Sequence, residues 1–181
     1  MARIHIVDPQ TATGEAANLL AAVQTKLGAT PNFLRVLANS PAALGAFLGL
    51  HQIAEHGALD LPTRERIAVA LAEQNGCQYC LSAHSAIGRK AGLTGDEIDA
   101  NREGTSHDAK AAAAVAFARA LVENKGDVTQ AELDAVRAAG YGEAEIVEII
   151  VHVGMNLLTN ILGRASRVDI DFPKVELKKA A

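Results

Sequence analysis

DLPTRERIAVALAEQNGCQYCLSAHSAIGRKAG, residues 60–92, reads as two helices joined by a tight turn, and this hairpin decides the fold. Asp60-Leu61-Pro62-Thr63 has the form of a helix start, with a capping aspartate followed by proline in the first turn, and Asn75-Gly76 ends that helix. Cys77-Gln78-Tyr79-Cys80 opens the next helix, which runs to Gly92 and holds the only two cysteines of the 181 residues. A spacing of three turns both sulfurs to one side, and His84, four residues past Cys80, joins their stripe. The stripe Cys77, Cys80, Leu81, His84, Ile87 and Ala91 is expected to face inward, with Gln78, Ser82, Ser85 and Arg89 on the other side. On the preceding helix Glu65 shares a face with Ala68, Val69 and Ala72, so its carboxylate points at an apolar surface and needs a partner. Spacing alone does not decide whether folding back at Asn75-Gly76 carries Glu65 to His84.

Working outward, every other segment also carries helical signals. Ala17, Leu19, Leu20, Val23 and Leu27 recur at helical spacing between Gly14 and Gly28, Thr30-Pro31 opens a short helix, and Ser40-Pro41 starts one running to about Gly57. Thr94-x-x-Glu97 and Thr129-x-x-Glu132 have the capping-box form. An alanine-rich helix is expected over Ser106 to about Asn124, and a last long one over Glu143 to Gly163. Hydrophobic residues reach 49% while aromatics reach 3%, and β-branched alternating runs are few, so an all-α bundle packed through many small contacts is predicted. Residues 1–181 read as one domain, with a flexible tail over 174–181. Arg64, Arg66 and Glu123 read as solvated helix faces.

A net charge of −4 argues against a broad nucleic-acid surface. The first nine residues hold no apolar run of signal-peptide length before Asp8-Pro9, and a cytoplasmic location is expected. Ile146 to Leu162 is apolar on most sides, but His152, Asn156, Thr159 and Asn160 interrupt it within about 17 residues, short of the ~20 apolar residues of a span. A buried core or subunit-interface helix is the expectation, and with it a homo-oligomer and no membrane partner. His152, Asn156 and Asn160 form a polar row that reads as a structural network or interface rather than a substrate pocket.

In a reducing compartment a close cysteine pair is catalytic or metal-binding rather than a permanent staple. Three readings stay open on the residues: a redox dithiol, a zinc site built from two sulfurs, an imidazole and a carboxylate, and inert core cysteines. The redox chemistry needs thiolate, and a free thiol with a pKa of about 8.5 requires a helix N-terminus or a neighbouring base, both of which this stretch offers. Peroxide attack would give a sulfenic acid that the second thiol condenses into a disulfide. Tyr79 reads as a packing residue, since a phenol with a pKa of about 10 carries protons poorly at neutral pH.

Glu65, eleven residues, Cys77-x-x-Cys80, three residues and His84 together resemble the redox motif of the AhpD-like alkylhydroperoxidases, within the carboxymuconolactone decarboxylase superfamily. The resemblance is strongest over about 44–93, and residues 156–160 through 171–173 are similar to the peroxidase-related branch. It implies an all-helical AhpD-like bundle, oligomeric, with the CxxC at the start of a central helix. It also implies a thiol-dependent hydroperoxide reductase serving antioxidant defence without metal, flavin or haem. A small hydroperoxide would be its substrate and a thiol or dithiol its electron donor. In that resemblance Cys80 is the peroxidatic residue, Cys77 resolves and donates a proton, and His84 with Glu65 relays protons. A dipole argument by itself favours Cys77 as the more acidic thiol. Two departures stand out: Tyr79 occupies the place of a histidine in AhpD, and the motif falls before the middle of the chain. The alternatives are a zinc-binding module and a non-catalytic, redox-sensing oligomeric module.

Overall fold

The computed structural model describes residues 2–178, with side chains for all of these except 53–55. Among the described residues the chain is helical without strands, running α1 (Gly14–Leu27), α2 (Asn32–Leu37), α3 (Pro41–Glu55), α4 (Leu61–Gln74), α5 (Gln78–Lys90), α6 (Gly95–Arg102), α7 (Ala109–Glu123), α8 (Gln130–Ala138) and α9 (Glu143–Ser166). The all-α expectation holds. Local chemistry sets the boundaries. Asp60 Oδ1 accepts from the Thr63 backbone N–H at 2.8 Å and starts α4. At α8 the Thr129 hydroxyl and the Glu132 carboxylate bond each other's backbone N–H groups, a full reciprocal box. At α6 only half the box forms. Thr94 accepts from Glu97 N, but the Glu97 carboxylate turns away to the Arg66 guanidinium at 2.7 Å and to the Ser106 hydroxyl.

The helix α4 is buried almost all round, from Ile67 through Ala72, because alanines at 68, 70 and 72 let neighbours approach from every side. One apolar cluster on it gathers Leu20, Phe33, Leu44, Val69 and Leu81. The other gathers Ile67, Leu71, Val115, Phe117, Val136 and Ile149. Each such fully buried side chain contributes about 1.5–3 kcal/mol, so α4 is the element both halves of the core depend on. By length and composition α9 could cross a membrane. Here it buries Ile146, Ile149, His152 and Val153 and leaves Val147, Ile150, Leu158 and Ile161 exposed along its outer side.

Four expectations need correction. Ile87 is exposed rather than inward, because the inner row of α5 continues from His84 to Gly88, which abuts Leu93 and the Glu65 stem. Ser82 and Ser85 are buried rather than outward; the C-terminal segment covers Ser82, whose Oγ accepts from the Val175 N–H at 3.0 Å. The segment 174–178, expected to be loose, is held by Gln78 on Val175 and Glu176, by Arg102 on the Glu176 carbonyl and by the Lys178 N–H on Glu73, while residues 179–181 of that tail lie outside the described residues. Arg66, expected on a solvated face, is paired with buried Glu97.

Candidate functional site

Gly76, with φ of 67°, makes the left-handed turn after α4, and the Cys77 N–H closes back on the Ala72 carbonyl at 2.9 Å. The chain therefore reverses, and α5 packs along α4. Glu65 and His84 lie nearly equidistant from Asn75 along the chain, and the reversal brings them face to face. Glu65 Oε2 meets His84 Nδ1 at 2.8 Å. The carboxylate is largely buried and the imidazole keeps 24% of its side-chain surface. Burial by itself would push the His84 pKa down, but the Glu65 charge and the hydrogen bond to it outweigh this and hold it above the ordinary histidine value.

One turn before His84 the two sulfurs are joined as a disulfide, with Cα atoms 5.3 Å apart. Both cysteines are almost fully buried. Cys77 is the N-cap of α5, and its Sγ accepts from the Cys80 N–H at 3.3 Å, so the helix N-terminus stabilises negative charge on that sulfur. Cys80 Sγ lies 3.7 Å from the Thr159 carbonyl of α9. The sequence-predicted residues Cys77, Cys80, His84 and Glu65 thus share the α4–α5 face, with the carboxylate bonded to the imidazole rather than to the sulfurs. No group of three or more His, Cys, Asp or Glu side chains among the described residues is arranged to hold a metal.

Sequence reading missed what α9 contributes. Gly163, read as the end of the last helix, lies inside it, and a Cβ there would stand 2.7 Å from Cys77 Sγ and 3.5 Å from Cys80 Sγ. The signal was present: Arg164-Ala165-Ser166 continue the helix, so this glycine was in an interior position that costs about 1 kcal/mol against alanine. Asn160 accepts from the Asn75 side chain at 2.8 Å and Arg164 donates to the Asn75 carbonyl at 2.8 Å, fixing the turn that precedes Cys77. Asn160 therefore belongs to a structural network, as does Asn156, which donates to the His152 carbonyl. Tyr79 is also structural. It donates to Asp171 at 2.8 Å, accepts from the Phe33 N–H and stacks on Phe33, and burial first, then Asp171, raises its pKa well beyond the phenol range.

Residues 41–123 match the carboxymuconolactone decarboxylase family. An AhpD-core, uncharacterised peroxidase-related protein from Ralstonia eutropha JMP134 shares this fold at a TM-score of 0.82 and 25% identity, over 94% of this chain and 92% of that one. The match over residues 41–123 and the shared fold support the AhpD-like carboxymuconolactone decarboxylase superfamily. A second peroxidase-related member of the same fold, from Silicibacter sp. TM1040, is 24% identical over 92% of this chain and 89% of its own, with a TM-score of 0.81. The debrominase Bmp8, as a cysteine-to-alanine variant in complex with 2,3,4-tribromopyrrole, has a TM-score of 0.76 at 21% identity over 94% of both chains. No curated protein matches the sequence. In this AhpD-like chain the family match spans α3 through α7 and so contains the whole hairpin, while Gly163 and the Asn75 clamp lie beyond it.

Proposed function

We propose that this protein is a cytoplasmic, thiol-dependent hydroperoxide reductase that works through a Cys77–Cys80 dithiol and disulfide cycle. One observation carries the reading: a cysteine pair in covalent reach lies one helical turn from an imidazole whose Nδ1 is bonded to a buried carboxylate. Glu65 holds the His84 pKa above the ordinary histidine value, which favours the protonated ring as a proton donor, and that protonated form, one turn from Cys80, favours the thiolate there.

The Cys80 thiolate attacks one peroxide oxygen, the S–O bond forming as the O–O bond breaks, so that sulfur is oxidised to sulfenic acid and the peroxide is reduced to an alkoxide. That alkoxide takes a proton by way of His84 and leaves as the alcohol. The Cys77 thiolate, stabilised at the N-cap, then attacks the sulfenic sulfur, and hydroxide departs to become water on protonation. A thiol or dithiol donor returns two electrons and two protons. The outer apolar row of α9 is the surface through which copies of this chain would associate.

The test is steady-state consumption of cumene hydroperoxide driven in turn by dihydrolipoamide, thioredoxin and glutathione. Turnover with at least one donor is expected, abolished by Cys80→Ser, with a dimedone-reactive sulfenic acid on Cys80 in Cys77→Ser. Dimedone labelling of Cys77 in Cys80→Ser would exchange the two roles. Oxidation once without turnover would identify a redox sensor, and stoichiometric zinc protecting both thiols from alkylation would identify a metal site. Turnover of 2,3,4-tribromopyrrole in place of peroxide would align the activity with that of Bmp8.

A further inference from the structure

Between α3 and the first half of α9 lies a cavity of about 720 Å³ whose walls include Leu50, Val151, Gln52, His56 and His152. Its size falls within the range of about 300–1,000 Å³ typical of small-molecule sites. His152 is 7% exposed, and its ring has no hydrogen-bond partner among the described residues. With no partner for the ring among the described residues, its nitrogens are the polar groups that His152 presents to the cavity. Burial, then the charges of Arg64 and His51, push its pKa down to about 4 against the opposing Glu148 and Glu65 carboxylates. At neutral pH the ring therefore offers one N–H donor and one lone pair, and no charge.

The remaining polar groups narrow the ligand. Glu148 accepts from the Ala58 and Leu59 N–H groups at 2.9 and 2.7 Å, and a side chain at Gly57 would collide with it, so this carboxylate is committed to holding the 57–59 turn. A negatively charged ligand would meet the Glu148 carboxylate in the cavity wall, and a cation would find a neutral imidazole and a carboxylate already in use. What fits is an apolar body against Leu50 and Val151 with one uncharged group that both donates and accepts.

We propose that the α3–α9 cavity is a binding site for uncharged, apolar organic molecules bearing a hydroxyl or hydroperoxyl group, which hydrogen-bonds to His152. From His152 to Thr159, whose carbonyl lies against Cys80 Sγ, the helix rises about 10 Å at 1.5 Å per residue, so the cavity's imidazole stands about two turns of α9 from the sulfurs, within reach of the Glu65 charge. Its existence does not rest on peroxide turnover.

The experiment uses the full chain in its disulfide form without a reductant, so no reaction intervenes. It follows backbone amide NMR shifts on titration with 2-phenyl-2-propanol, with cumene, the same body lacking the hydroxyl, and with 2-phenylpropanoate. The alcohol is expected to move the amides of Gln52, Gly57, Val151 and His152, and to bind about fivefold more tightly than cumene, the worth of one hydrogen bond. The carboxylate is expected not to bind there. His152→Leu should bring the alcohol down to the affinity of cumene, and Val151→Trp, which fills the cavity from a partly exposed position, should abolish both. The proposal is overturned if the alcohol leaves these amides unmoved up to its solubility limit, or moves only those around Cys77 and Gly163. Unchanged alcohol affinity in folded His152→Leu overturns it too. Should that variant fail to fold, retained binding in Val151→Trp does the same.

Discussion

Gly163→Ala isolates the contact between α9 and the sulfurs. The added methyl would stand 2.7 Å from Cys77 Sγ and 3.5 Å from Cys80 Sγ, where ordinary contact begins near 3.4 Å. In the dithiol form each sulfur rotates about its own side chain and the Cys77 thiol gives way. In the disulfide form each sulfur is held by the other, so the backbone of α5 or α9 must shift instead. Overpacking by one methyl costs about 1–3 kcal/mol in a packed core. The gain in helix propensity on replacing glycine, about 1 kcal/mol, is common to both redox forms and cancels from their difference. If ~1–2 kcal/mol of the clash falls on the disulfide alone, the reduction potential rises by ~20–40 mV, since 1.4 kcal/mol corresponds to about 30 mV for two electrons. Equilibration in dithiothreitol redox buffers, followed by alkylation and mass analysis, measures that shift. A potential unchanged within about 10 mV, or lowered, would refute the claim that α9 is packed against the bonded sulfurs.

Glu65→Gln removes the charge that holds up the His84 pKa. Peroxide turnover should fall about 100-fold, and the alkaline limb of the pH–rate profile should move to lower pH; an unmoved limb would take Glu65 out of the relay. Tyr79→Phe deletes the donor to Asp171 and should lower stability to urea by about 1 kcal/mol while leaving turnover within about twofold; a larger loss of turnover would make the phenol a proton carrier. The Glu97 carboxylate, although burial opposes its charge, has a pKa of about 2 because Ser106, the His107 N–H, Arg66 and Asn101 bond it. Its folded pKa lies below the unfolded one, so its contribution, ~3 kcal/mol, is present above about pH 4.5 and is lost as pH falls toward 2. Urea midpoints measured across that window should fall for the parent protein and fall less steeply for Glu97→Gln, with the lowered Glu132, Glu143 and Glu176 carboxylates supplying the remaining slope. The His84 linkage has the opposite sign: with a raised folded pKa, its contribution is full below about pH 6.5 and is lost as pH rises through the raised value.

Helices, caps and the hairpin were legible because each rests on local periodicity and on residues within four positions of one another. Thr129 and Glu132 form their box as read. Thr94 and Glu97 do not complete theirs, because Arg66 and Ser106, remote in sequence, offer the Glu97 carboxylate better partners than its own cap does. The spacing of Glu65, Cys77, Cys80 and His84 named the four residues, and the structure adds that the carboxylate reaches the imidazole. What stayed hidden is set by segments far along the chain. Ser82 reads as outward until residues 174–178 close over it, and Gly163 reads as a terminator until the sulfurs are found beneath it. His152 is indistinguishable by pattern from Asn156 and Asn160, yet those two find partners within the protein and its ring opens on a cavity.

The most direct measurement is stoichiometric: fully reduced protein is mixed anaerobically with one equivalent of cumene hydroperoxide, and thiols, peroxide and cross-linked peptides are counted. The predicted result is loss of both thiols for each peroxide consumed, with a Cys77–Cys80 disulfide within one chain that dihydrolipoamide reduces again. Surviving peroxide beside two intact thiols, or oxidation that stops on one sulfur without a disulfide, would contradict the account.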